Sequence, residues 1–228
     1  MKLLKHFFNF YIDSSIHVSL SVCCLQAMIM IKYCSSINNN LLYFTFFSSL
    51  LAYNFIKYFK FIIDNYNNIS YKIKVIIVIS IFSFLSAFFF TFYLSLYEIV
   101  LVSFAGIITF LYAIPTFLIS NYNLRATKGL KIYLVALVWT LITVLLPLQF
   151  YKDLGLLFIL LIFIQIFIYV LIVIIPFEIR DIDIDDTRLS TIPQKIGIRN
   201  TKILGFIMIL FFLLIEFLKI KLNVIDNL

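Results

Sequence analysis

"LGLLFILLIFIQIFIYVLIVIIPF" occupies Leu154–Phe177 without a single charged residue. The run outlasts the roughly 20 apolar residues that cover a hydrocarbon core about 30 Å thick. Backbone polar groups in lipid must pair internally, so a spanning segment is either a helix or a strand of a closed barrel. Barrel strands read as short segments of alternating polarity. A long unbroken run therefore reads as a membrane-spanning helix.

Similar runs occur at 14–34, 41–63, 73–93, 96–119, 130–150 and 202–220. Together they predict an all-α, polytopic transmembrane helical bundle of about seven spans, with the fourth span bent near Pro115, where proline removes a helical hydrogen bond. Composition agrees. The chain is 64% hydrophobic and only 13% charged, well under the quarter expected of a soluble domain. No linker rich in Gly, Pro or Ser divides it, so residues 1–228 read as one domain. Cys23, Cys24 and Cys34 show no zinc spacing and read as buried thiols. The first span reads as retained, not as a cleaved leader.

Lysine and arginine placement predicts the orientation. Lys57, Lys60, Lys72 and Lys74 flank the second connection. Arg125, Lys128 and Lys131 lie in or beside the fourth, and Arg180, Arg188, Lys195, Arg199 and Lys202 in or beside the sixth. The odd-numbered connections are nearly free of them. With Lys2 and Lys5, this puts the N-terminus and the even-numbered connections in the cytoplasm; the expected setting is a bacterial inner membrane. The net charge of +7 is then topological, and nucleic acid is not an expected partner.

The sixth span runs into "PFEIRDIDIDDTRLSTIPQKIG", Pro176–Gly197. Glu178, Asp181, Asp183, Asp185 and Asp186 supply five of the chain's eleven acidic residues. Each carboxylate would cost roughly 2.5–3.5 kcal/mol at mid-membrane, so they belong at the interface or in a wet cavity. Two readings stand side by side. If the helix continues, Glu178, Asp181 and Asp185 share a face and suit a magnesium ion, which takes one or two carboxylates beside water and substrate phosphate. Alternatively, the period-two alternation of "DIDIDD" is a solvated loop.

The segment resembles the second aspartate-rich motif of the UbiA superfamily of intramembrane prenyltransferases. Arg180-Asp181, Asp185, Arg188, Thr191, Pro193 and Ile196-Gly197 fall in that motif's order. "LYAIP" at 111–115 is similar to the family's Tyr-x-x-Pro after span 4, and "NLRATKGLKIYLVALVW" at 123–139 to its basic segment entering span 5. The resemblance implies a bundle around a central cavity open to lipid. It also implies Mg2+ on Asp181 and Asp185 with help from Glu178. A prenyl diphosphate would be contacted by Asn54, Lys57, Arg125, Lys128 and Tyr112, and its chain passed to an aromatic or other acceptor.

Two departures matter. The family's first motif places aspartates four and eight residues after an asparagine. Here "AYNFIKYFKFII" keeps Asn54 but has Tyr58 and Ile62 at those positions, with Lys57 and Lys60 nearby. The lysines either contact phosphate as point charges or only flank a span at a lapsed site. The family also usually has nine spans. Seven here leave a bundle that closes early or that a membrane partner completes. Glu216 in the last span then reads as paired with Lys219 three residues on.

Overall fold

The computed structural model describes residues 2–34, 36–65, 69–113, 129–148, 154–183 and 190–226. Regular structure among them is helical, with no strand. The elements are α1 (Lys2–Asp13), α2 (Ile16–Tyr33), α3 (Asn39–Asp64), α4 (Tyr71–Thr91), α5 (Leu96–Ala113), α6 (Lys131–Thr140), a π-helical turn (Leu141–Leu145), α7 (Leu146–Leu148), α8 (Leu156–Arg180) and α9 (Ile192–Asp226). Six helical stretches are long and apolar enough to cross a membrane: Ile16–Tyr33, Tyr71–Thr91, Leu96–Ala113, Lys131–Leu148, Leu156–Arg180 and Ile192–Leu222. This architecture is compatible with an integral, multi-pass membrane protein. The remaining expected segment, 41–63, is helical within the 26 residues of α3, about 39 Å at 1.5 Å per residue. Its length is ample. Asn39, Asn40, Asn54, Lys57, Lys60 and Asp64 leave it too polar to join the six. The expected bend at Pro115 lies outside the described residues.

Internal packing divides the chain into two compact units, Met1–Phe104 and Ala105–Leu228, with the boundary inside α5. In the first, α1 and α3 pack on α2, and α4 packs on α3. Its core holds Val22, Ile29 and Met30 of α2, Leu41, Phe44 and Leu50 of α3, and Ile76 and Ala87 of α4. Ser19 and Ser83 are also buried, and each satisfies its hydroxyl on the carbonyl four residues back. The thiols are less buried than expected. Cys24 is exposed, and Cys23 and Cys34 are half-buried, because α2 turns only one side to its neighbours. Ser95 and Glu98 open α5 with a reciprocal cap: the Ser95 amide donates to Glu98 Oε2 at 2.7 Å and the Glu98 amide to Ser95 Oγ at 3.3 Å.

In the second unit, α8 packs between α6 and α9. Ile132, Ala136 and Val144 are buried, as are Ile162, Ile166 and Val170 of α8, and Gly205 of α9 packs toward Ile175, where a Cβ would make ordinary van der Waals contact. The π-helical turn precedes Pro147. A proline ring clashes with the carbonyl four residues back and donates no hydrogen bond, and the widened turn accommodates it, with the Leu146 amide reaching back to the Leu141 carbonyl. Gly197 interrupts α9 at φ 79°, ψ 159°, a region essentially reserved for glycine. That conformation accounts for glycine at this position of the acidic motif.

Candidate functional site

The helix of the acidic segment stops sooner than a continuous 178–185 helix requires. α8 ends at Arg180, Asp181 caps it at φ −90°, ψ 6°, and Asp181–Asp183 form a turn. Aspartates are poor helix formers that favour turns, and a run of like charges adds repulsion. The shared-face argument therefore covers Glu178 and Asp181. Asp185, with Arg125 and Lys128, lies outside the described residues.

Glu178 occupies the last turn of α8 with its side chain only 5% exposed. Lys131, the first residue of α6, reaches its Oε1 at 3.1 Å. Its other oxygen, Oε2, is buried with no hydrogen-bond partner among the described residues. Three residues on, Asp181 accepts from Arg180 Nε at 2.7 Å and from its second guanidinium nitrogen at 3.0 Å. That hydrogen bonding holds the Asp181 carboxyl below the ordinary carboxylate range against the opposing effect of burial, and Lys131 adds to it. Lys131 thus acts on both carboxylates. It had been read only as a topological charge, and nothing in the spacing of residues 131 and 178 signals their pairing.

The connection entering α6 meets the start of α9. Gly129 adopts φ 77°, and a Cβ there would stand 3.2 Å from Lys195 Nζ and 3.4 Å from the Ser190 carbonyl oxygen. Only a glycine lets the backbone and that ammonium come so close without strain. Thr191 and Gln194 then begin α9: the Thr191 amide donates to Gln194 Oε1 at 3.0 Å, half of a capping box, and Pro193 suits a first turn that needs no amide there. The Thr-Ile-Pro-Gln portion of the motif is accounted for by helix initiation.

The other expected residues divide between the units. Tyr112 is buried in the last turn of α5. In the first unit Asn54 is buried, its amide donating to Ser80 Oγ at 3.1 Å while its Oδ1 has no partner among the described residues. Lys57 and Tyr58 turn to the end of α1: Lys57 Nζ donates to the Asp13 carbonyl at 3.2 Å and Tyr58 Oη at 2.8 Å. The Asp13 carboxylate pairs with Lys72 and lies 3.7 Å from Lys57. Lys72 hydrogen-bonded to it, helped by Lys57, holds the Asp13 carboxyl below the ordinary range against the opposing effect of burial.

No known protein family, characterised protein or solved structure matches the chain.

A lowered folded pKa means that the Asp13 latch stabilises the protein above the ordinary carboxylate range and is lost as pH falls through the lowered value. Asp13→Asn should reduce stability at pH 7 by less than about 1 kcal/mol, as partly exposed pairs do, and flatten the acid limb of the stability curve. Thermal unfolding of both proteins across a pH series checks this; identical acid limbs would show that the latch contributes nothing.

Magnesium is the metal that the family resemblance implies. Among the described residues no three His, Cys, Asp or Glu side chains gather closely enough to hold an ion. Two carboxylates one turn apart, one with an orphaned buried oxygen, are nevertheless the hard donors that magnesium takes beside water and phosphate. The donor chemistry fits.

Proposed function

We propose that the protein is a UbiA-like intramembrane prenyltransferase of seven spans, α3 being the seventh, around a cavity open to lipid, with its N-terminus and acidic segment in the cytoplasm. The observation that carries this reading is Glu178. It is a carboxylate buried at the end of a long apolar helix, with one oxygen held by Lys131 and the other unpartnered, inside the segment that resembles the family's second motif. Asp181, Asp185 and Glu178 hold Mg2+, which when bound neutralises charge growing on a leaving diphosphate. Lys131, Lys195, Arg125 and Lys128 surround the head group with positive charge. Tyr112 positions it. The allylic carbon–oxygen bond breaks, diphosphate departs, and the acceptor bonds to the carbon and loses a proton.

One observation favours a second reading, a catalytically lapsed relative that binds lipid or completes a membrane complex. Lys57 and Tyr58, at the degenerate first motif, are engaged by Asp13. One experiment tests both. Purified protein is titrated with a prenyl diphosphate with and without Mg2+, and turnover is assayed with aromatic acceptors. Magnesium-dependent binding that Asp181→Ala and Asp185→Ala abolish supports the metal site, and unchanged binding in both variants refutes it. Binding without turnover, converted to turnover by Tyr58→Asp with Ile62→Asp, identifies the lapsed relative.

A further inference from the structure

Helix α1 has no part in the proposed chemistry, yet its sequence is sharply two-faced. At about 100° per residue, Lys5, His6, Asn9 and Asp13 fall on one side of Leu4–Asp13, and Leu4, Phe7, Phe8 and Tyr11 on the other. Leu4 is 79% exposed, Phe7 73% and Phe8 59%, so this chain leaves that apolar face largely uncovered. We propose that α1 is an interfacial helix. It lies along the membrane surface, with Leu4, Phe7 and Phe8 among the outer acyl segments and Lys5 and His6 toward anionic lipid headgroups.

Three observations choose lipid as the occupant. First, only Ser14 and Ser15 separate Asp13 from α2, which is long and apolar enough to span the membrane. Two extended residues reach at most about 7 Å, so the end of α1 cannot leave the interface. The Ser14 amide to the Phe10 carbonyl at 2.9 Å and the Ser15 amide to the Ile12 carbonyl at 3.2 Å tighten that turn further. Second, Asp13 is latched to Lys57 and Tyr58 of α3 and to Lys72 in the first turn of α4. The C-terminal end of α1 is therefore fixed beside helix ends that belong at a membrane surface. Third, the charge is complementary. Lys5 stands on the polar face, and Lys57 and Lys72 together outnumber Asp13 at its end, so net positive charge collects where anionic headgroups lie. A polar face carrying lysine opposite phenylalanine and leucine is the pattern of helices that lie in the interface plane. The position of the lost first motif thereby gains a structural purpose: Lys57 and Tyr58 anchor this helix. The proposal does not depend on the enzymatic reading.

Trp139 is the chain's one tryptophan, which permits a direct test. In a Trp139→Phe background, tryptophan is placed singly by Phe7→Trp, Phe8→Trp, Lys5→Trp or Asn9→Trp. Each full chain is reconstituted into phosphatidylglycerol–phosphatidylcholine vesicles whose acyl chains are brominated. Emission from positions 7 and 8 is expected to shift to the blue and to be quenched by bromine roughly threefold more than emission from 5 and 9, as an interfacial helix requires. Aqueous acrylamide reverses the order. Equal quenching at all four positions, or protection of positions 7 and 8 that grows with the protein-to-lipid ratio, overturns the proposal, the latter in favour of a second copy. If the Trp139→Phe background does not fold, a benzophenone amino acid replacing Phe7 in the natural background gives the same decision. Capture of lipid supports the proposal; capture of protein, or of nothing, overturns it.

Discussion

Lys131→Met should lower the stability of the purified protein by about 3–5 kcal/mol, the usual loss when one member of a buried ion pair is removed. Glu178 is the more deeply buried partner, and without Lys131 neither of its oxygens keeps a hydrogen bond of those described. Methionine preserves most of the stem volume, so the loss measures charge and not a cavity. Adding Glu178→Gln should restore most of the stability, because an amide fills the same space without a bare charge. The effect is read by denaturant unfolding in detergent as a double-mutant cycle. Independent, additive losses would show that the pair is not coupled. The variant also bears on the proposed metal site. With its ammonium gone, Glu178 is freer to assist Asp181 and Asp185 at a cation, and magnesium should raise the midpoint of Lys131→Met more than that of the double variant, since a ligand stabilises only the state that binds it.

That pair marks the limit of what local pattern reveals. The helices that became α2, α4, α5, α6 and α8 were legible because a long charge-free run has few other ways to satisfy its backbone in lipid. That Glu178 and Asp181 share a face was legible only on the condition that the helix ran past residue 177, since three- and four-residue spacing is a local property. The Lys131–Glu178 contact was not, because it joins helices far apart in the chain and depends on how they pack. The end of α8 at Arg180 was open, since the alternation of Asp183 and Asp185 with isoleucines admits a helix or a loop. Lys2 and Lys5 were read as orientation signals, and that reading passed over the phenylalanines between them and Asp13 that make α1 two-faced. Thr191 and Pro193 read in the sequence as part of a chemical motif. Their geometry is that of a helix start, so part of the family resemblance at this segment carries folding information and only the remainder speaks for chemistry.

The intramembrane charges of α9 lead to the second large effect. Lys219 Nζ lies 2.6 Å from Glu216 Oε2, and Gln165 of α8 donates to the same oxygen at 2.9 Å and to the Phe212 carbonyl at 3.2 Å. Gln165 is thus a polar tie between α8 and α9. The two charged partners differ in burial: the Lys219 side chain is 4% exposed and that of Glu216 34%. Lys219→Met leaves the carboxylate with its Gln165 donor and partial exposure. Glu216→Leu takes the carboxylate from a buried ammonium and one of two acceptors from Gln165 together. The second substitution should therefore be the worse, at about 3–5 kcal/mol, and the first milder by about 1.5–3 kcal/mol, the worth of a hydrogen bond to a charged group. The double variant should recover most of both losses, because a matched apolar pair in the same space needs no solvation. Unfolding of the three variants in detergent gives the order directly. If Lys219→Met proves the more damaging, Gln165 does not support the carboxylate.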